Sequence, residues 1–171
     1  MTNIKKGLIV ALLHILIVLS LEGKFLYDRT HRPRVWVKSG TVDPDLPIRG
    51  RYLTLSLEVR APELAKQRSA PNYNWQSVVI AAENGQLVAH PTDTPSGMYI
   101  GIGAKSPLPA EDGLYFLSPQ VDFFIPEHAQ TPHPTRDDEL WAEVTIPRKG
   151  PPRPIQLAIK HGTQWNPLTY R

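Results

Sequence analysis

Two arginines one residue apart, Arg49 and Arg51, flank Gly50 and lead into Tyr52. On an extended segment residues i and i+2 point to the same side, so the two guanidinium groups project together and match a carboxylate or phosphate with paired hydrogen bonds. Glu127 is the candidate internal partner. Two readings stand: an Arg–Glu link that fixes a loop, or a contact to an anionic ligand or partner. A second cluster places His128 and His133 beside Glu127, Asp137 and Asp138, side chains of the kind that bind zinc. A histidine spacing of five in a proline-rich loop imposes no ligand geometry, so no metal site is expected. His90 and His161 stand alone in the sequence. No glycine-rich phosphate loop, nucleophile elbow or metalloprotease helix occurs, and the glycines at 97, 101 and 103 are too irregular for a dinucleotide fingerprint. No cofactor is expected.

These residues belong to a chain of 171 residues without cysteine, which removes disulfides, thiolate metal sites and thiol nucleophiles. The length allows one domain of ordinary size and an appendage. Positive charge is concentrated at the start: residues 1–32 hold five Lys/Arg against two acids, net +3, and residues 33–171 hold 14 against 14, net 0. The folded part is therefore neutral, and a nucleic-acid partner is not expected.

The appendage is apolar. Residues 7–21 form an apolar run, broken only by His14 and Ser20, that would rise only about 22 Å as a helix, short of a hydrocarbon core of about 30 Å. Extended from Ile4 to Leu26 it reaches roughly 34 Å, with Lys5 and Lys6 snorkelling at one end and Glu22, Lys24 and Tyr27 in the opposite interface. A cleaved signal peptide has the same charged start and apolar middle, but residues 20–25 offer no small-x-small step. The expectation is an uncleaved signal anchor over residues 1–29 with a cytoplasmic N-terminus. Gly7, Ala11, His14 and Val18 fall within about 60° of one another on a helical wheel, and Glu22 continues the stripe. Small and polar residues on one face form a candidate surface for a membrane-protein partner or for a second copy of the helix.

From Thr30 onward the period changes to two, and 17 of the 18 prolines lie beyond residue 40, which disfavours long helices. Strands are expected at Arg34–Lys38, Leu53–Val59, Trp75–Ala82, Gln86–His90, Met98–Gly103, Gly113–Ser118, Val121–Ile125, Leu140–Ile146 and Ile155–Lys160. Asn84-Gly85 between the third and fourth is a hairpin signal, since both residues tolerate positive φ. The polar stretch between Ala61 and Asn74 is expected to be a mobile loop with at most one helical turn. The fold class expected for residues 30–171 is mainly β, an antiparallel sandwich or barrel-like domain of about eight short strands on the extracytoplasmic side.

The run Asp43-Pro44 through Arg49-Gly50-Arg51-Tyr52-Leu53-Thr54-Leu55-Ser56-Leu57 resembles the signature of the GDY-x-x-L-x-Y family of bacterial membrane-anchored proteins, and Phe124-Ile125-Pro126-Glu127 is similar to its second block. Arg51 stands where that family usually has Asp, and Leu57 where it has its last Tyr, so a role tied to that Asp does not carry over. The resemblance implies an extracytoplasmic domain, no established activity and a polytopic membrane-protein partner. Ser39-Gly40-Thr41 through Leu46 is superficially similar to the nucleophile region of type I signal peptidases. That likeness would make Thr41 the nucleophile and require a neutral lysine, for which Lys105 and Lys160 are the candidates. The sequence thus points to a non-catalytic, membrane-anchored accessory protein, with a small-molecule sensing module and a hydrolase as alternatives.

Overall fold

A computed structural model describes residues 3–42, 52–69, 74–103, 113–126, 129, 132, 134, 135 and 137–170. The chain divides into two compact units, Met1–Arg32 and Pro33–Arg171.

The first unit is one helix, α1 (Asn3–His31), long and apolar enough to cross a membrane, with none of its span buried against protein. It runs two residues beyond the expected boundary. Thr30 donates its hydroxyl to the Leu26 carbonyl at 3.0 Å, Arg32 pairs with Asp28 at 3.0 Å, and Pro33 then ends the helix by disfavouring helical geometry in the residue before it. Val18, Leu8, Leu12, Ile9, Leu13 and Val10, which in that order step around the circumference, are all more than half exposed. An apolar surface over most of the circumference suits lipid and not water.

The second unit is mainly β, as the alternating pattern predicts. Ten strands are described: β1 (Arg34–Val42), β2 (Tyr52–Arg60), β3 (Asn74–Glu83), β4 (Gln86–Pro91), β5 (Tyr99–Ile102), β6 (Leu114–Ser118), β7 (Val121–Phe124), β8 (Asp138–Thr145), β9 (Arg153–His161) and β10 (Gln164–Leu168). β2, β4, β3, β5 and β6 close into a five-stranded barrel through the β2–β6 pairing. The other strands form a wing in the order β7-β2-β1-β8-β9-β10. Every pairing is antiparallel except the short parallel contact of β2 with β4.

β2 belongs to both halves. Its first part lies between β1 and β7 and its end lies between β4 and β6. Leu53, Leu55, Leu57 and Val59 alternate inward and are at most 1% exposed, so one row of side chains serves the barrel and the wing. The buried residues of both halves form one continuous cluster, with Val35 and Val37 from β1, Val78 from β3, Ile100 from β5 and Leu140 and Val144 from β8.

Two expectations are corrected. The stretch after Ala61 is a 3-10 helix over Pro62–Ser69 that plugs the barrel: Leu64 is buried, and the buried Tyr115 hydroxyl donates to the Leu64 carbonyl at 2.9 Å. Gly113 sits against it with φ +60°, close to Pro62 and Ala65. The tenth strand, β10, is an addition. It folds back through Gly162-Thr163 and carries Pro167, which an edge strand tolerates.

Candidate functional site

Arg49, Gly50, Arg51, Glu127, His128, His133 and Lys105 lie outside the described residues. Tyr52 is described. It begins β2, is 39% exposed, and meets Phe124 edge-on at 5.8 Å as its register partner on β7. The two blocks of the GDY-x-x-L-x-Y resemblance, about 70 residues apart in sequence, therefore meet on paired strands. Gly7, Ala11, His14 and Val18 share the exposed surface of α1, and His14 Nδ1 is bonded to the Val10 carbonyl at 2.8 Å, so that nitrogen is satisfied within its own helix.

The hydrolase arrangement does not assemble among the described residues. Thr41 pairs with Leu55 on the β2 side, whereas Lys160 lies on β9, two strands from β1 on the other side, roughly 10 Å away. Lys160 is also engaged with Glu139 at 3.8 Å. Asp138 is held by the Thr135 hydroxyl and backbone and by His161, and among the described residues no group of three or more His, Asp or Glu could hold a metal. His90 and His161, isolated in sequence, both have carboxylate partners in the fold: His90 bridges Glu63 at 2.8 Å and Glu83 at 2.7 Å, and His161 meets Asp138 at 2.7 Å.

Among the described residues a concavity lies at the fork where β2 exchanges β1 for β4. Because one strand cannot follow two diverging neighbours, the sheet splays there and leaves a half-open cleft of about 280 Å³. Trp36 and Trp141 form its aromatic wall, Val37, Leu87 and Leu114 add apolar lining, and Lys38, Glu58, Arg60 and Gln86 supply polar groups.

Alternation places these groups on one face. Val35 and Val37 point to the core, so Trp36 and Lys38 point out; Leu140 and Ala142 point in, so Glu139 and Trp141 point out. Trp165 from β10 packs on the two wall indoles, edge-on to Trp36 at 4.9 Å and tilted to Trp141 at 5.5 Å. Three of the four tryptophans thus gather on the outer wing face.

Glu139 organises the polar side. It accepts from Lys38 Nζ at 2.8 Å and from the Trp141 indole N–H at 3.1 Å, which fixes the ring. Lys160 lies over the same indole at 5.5 Å. The hydrogen bond to Glu139 raises the Lys38 ammonium and lowers the Glu139 carboxyl. Burial pushes the half-buried Glu58 carboxyl up, opposed by the Lys38 charge and reinforced by that of Glu139.

No sequence motif marks this cleft. Outward tryptophans on alternating strands are readable at Trp36 and Trp141, but the β1–β8 pairing that joins them spans about 100 residues. No family model matches the chain, and no curated protein or solved structure is significantly similar to it. The likeness to the GDY-x-x-L-x-Y signature accordingly rests on its own short blocks.

Proposed function

We propose that this protein is a non-catalytic binding module anchored in the inner membrane by α1, with its N-terminus cytoplasmic and its β domain extracytoplasmic, and that the fork cleft receives a small ligand. The observation that carries the reading is the cleft itself: two oriented indoles and four polar side chains converge on about 280 Å³. That volume is close to the lower end of the range for small-molecule sites, about 300–1,000 Å³. An exposed apolar helix supports the anchor.

The absence of cysteine makes the topology directly testable. Lys149→Cys, at an exposed loop, is expected to react with a membrane-impermeant maleimide in intact spheroplasts, and Thr2→Cys only after lysis. The reverse pattern refutes the orientation.

A second reading, docking on a polytopic membrane protein, is favoured by the exposed Tyr52–Phe124 pair and the stripe on α1. Co-purification in mild detergent tests it. A partner lost on Arg49→Ala, Tyr52→Ala or His14→Leu supports docking, and a chain recovered alone in every case removes it.

A further inference from the structure

We infer that the fork cleft is a saccharide site, taking one sugar ring against the Trp36 and Trp141 indoles; this rests on the binding reading above and names its ligand class. The lining decides between ligand chemistries. A quaternary ammonium group would suit tryptophan walls, but Lys38 and Arg60 line the same space and repel a cation. Phosphate-rich ligands need a concentrated positive field, and here Glu58 lines the same space and Glu139 offsets the Lys38 charge, which leaves the other ammonium hydrogens free to donate to neutral groups. A wholly apolar ligand would further desolvate the half-buried Glu58 carboxyl without offering it a hydrogen bond.

A sugar ring answers all three constraints. Its C–H face is apolar and packs on an indole, and its edge carries hydroxyls that both donate and accept. Gln86 offers an amide with donor and acceptor atoms, Arg60 and Lys38 donate, and Glu58 accepts when ionised and donates when protonated. The walls are set before any ligand arrives: Trp141 is held by its bond to Glu139 and by Lys160 above it, and Trp165 packs on both other indoles. Preorganised aromatic walls reduce the ordering that binding would otherwise require.

The test uses the full chain in a polyoxyethylene detergent, because alkyl-glycoside detergents carry sugar head groups that would compete. Glucose, N-acetylglucosamine and cellobiose are titrated while indole emission and ring-proton saturation transfer are followed, with choline and inorganic phosphate as contrasting probes. At least one sugar is expected to give a saturable response with Kd of about 1 mM. Gln86→Ala and Trp36→Ala are each expected to weaken it about tenfold or more. Gln86 is exposed, so its variant keeps the test decisive if Trp36→Ala fails to fold. Sugar binding unchanged by Gln86→Ala overturns the assignment to this cleft. Saturable binding of choline or phosphate without any sugar overturns the ligand class and leaves the binding reading standing. Silence from every probe overturns both.

Discussion

His90 is held between two carboxylates, Glu63 on the 3-10 helix and Glu83 on the neighbouring strand β3. Hydrogen bonds to Glu63 and then to Glu83 raise its pKa above 6.5. A raised histidine stabilises the fold fully below its unfolded value and loses that contribution as pH rises through the folded value. The thermal midpoint of His90→Gln is therefore expected to fall further below that of the parent at about pH 5.5 than at about pH 9. Equal gaps at both pH values would remove the clamp as a source of stability. Asp138 works in the opposite direction. Its bonds to Thr135 and His161 lower it from 3.8 to about 2, so its contribution is present above 3.8 and disappears as pH falls through about 2. Glu58, raised by burial, favours folding while protonated below 4.5 and loses that contribution as pH rises through its elevated value. Glu58→Gln is expected to flatten this dependence. None of these pairings was legible in the sequence, because Glu63 is 27 residues from His90 and Asp138 is 23 from His161; the 3-10 helix closes the first gap and the pairing of β8 with β9 the second.

At the scale of elements, the hairpin of β3 and β4 was the most legible, since Asn84-Gly85 is a local device that needs no distant contact. Asn84 at φ 50° and Gly85 at φ 75° adopt the left-handed pair that the dipeptide favours, and Glu83 and Gln86 close the register. Gly85→Ala is expected to lower stability by about 1 kcal/mol, with Asn84→Gly nearly neutral. Chemical denaturation measures both, and a neutral Gly85→Ala would contradict that turn geometry. The 3-10 plug was not legible. Its composition, with Glu63, Lys66, Gln67 and Arg68, reads as a solvated loop, and among its described side chains Leu64 alone belongs to the core. What orders it is Tyr115, 51 residues away and fully buried. Tyr115→Phe removes one hydrogen bond and is expected to cost about 1 kcal/mol, whereas Leu64→Ala also empties space beneath the plug and is expected to cost about 2–5 kcal/mol. Strand β10 was missed for a related reason: its residues are mostly exposed and Pro167 interrupts the pattern, so alternation has nothing to report.

For the molecule as a whole, the apolar span and the β-rich domain were both written locally, in a nearly continuous hydrophobic run and in period-two alternation. The fork was not, because it depends on which strands share β2. That sharing has a consequence for cooperativity. The inward row Leu53, Leu55, Leu57 and Val59 is the common wall of barrel and wing, so neither half keeps a complete core without it. Trp36, Trp141 and Trp165 sit in the wing, Trp75 lies on barrel strand β3, and far-ultraviolet dichroism reports both halves. A single shared core predicts coincident unfolding curves by emission and dichroism. Leu55 is completely buried, and Leu55→Ala is expected to destabilise by about 2–5 kcal/mol and to move both curves together. If barrel and wing instead folded independently, the emission transition, weighted three to one toward the wing, would separate from the dichroism transition in the parent. The separation would widen in a variant confined to one half, such as Val144→Ala, whose side chain is buried on wing strand β8. Coincidence in the parent and in both variants is the outcome the shared strand requires.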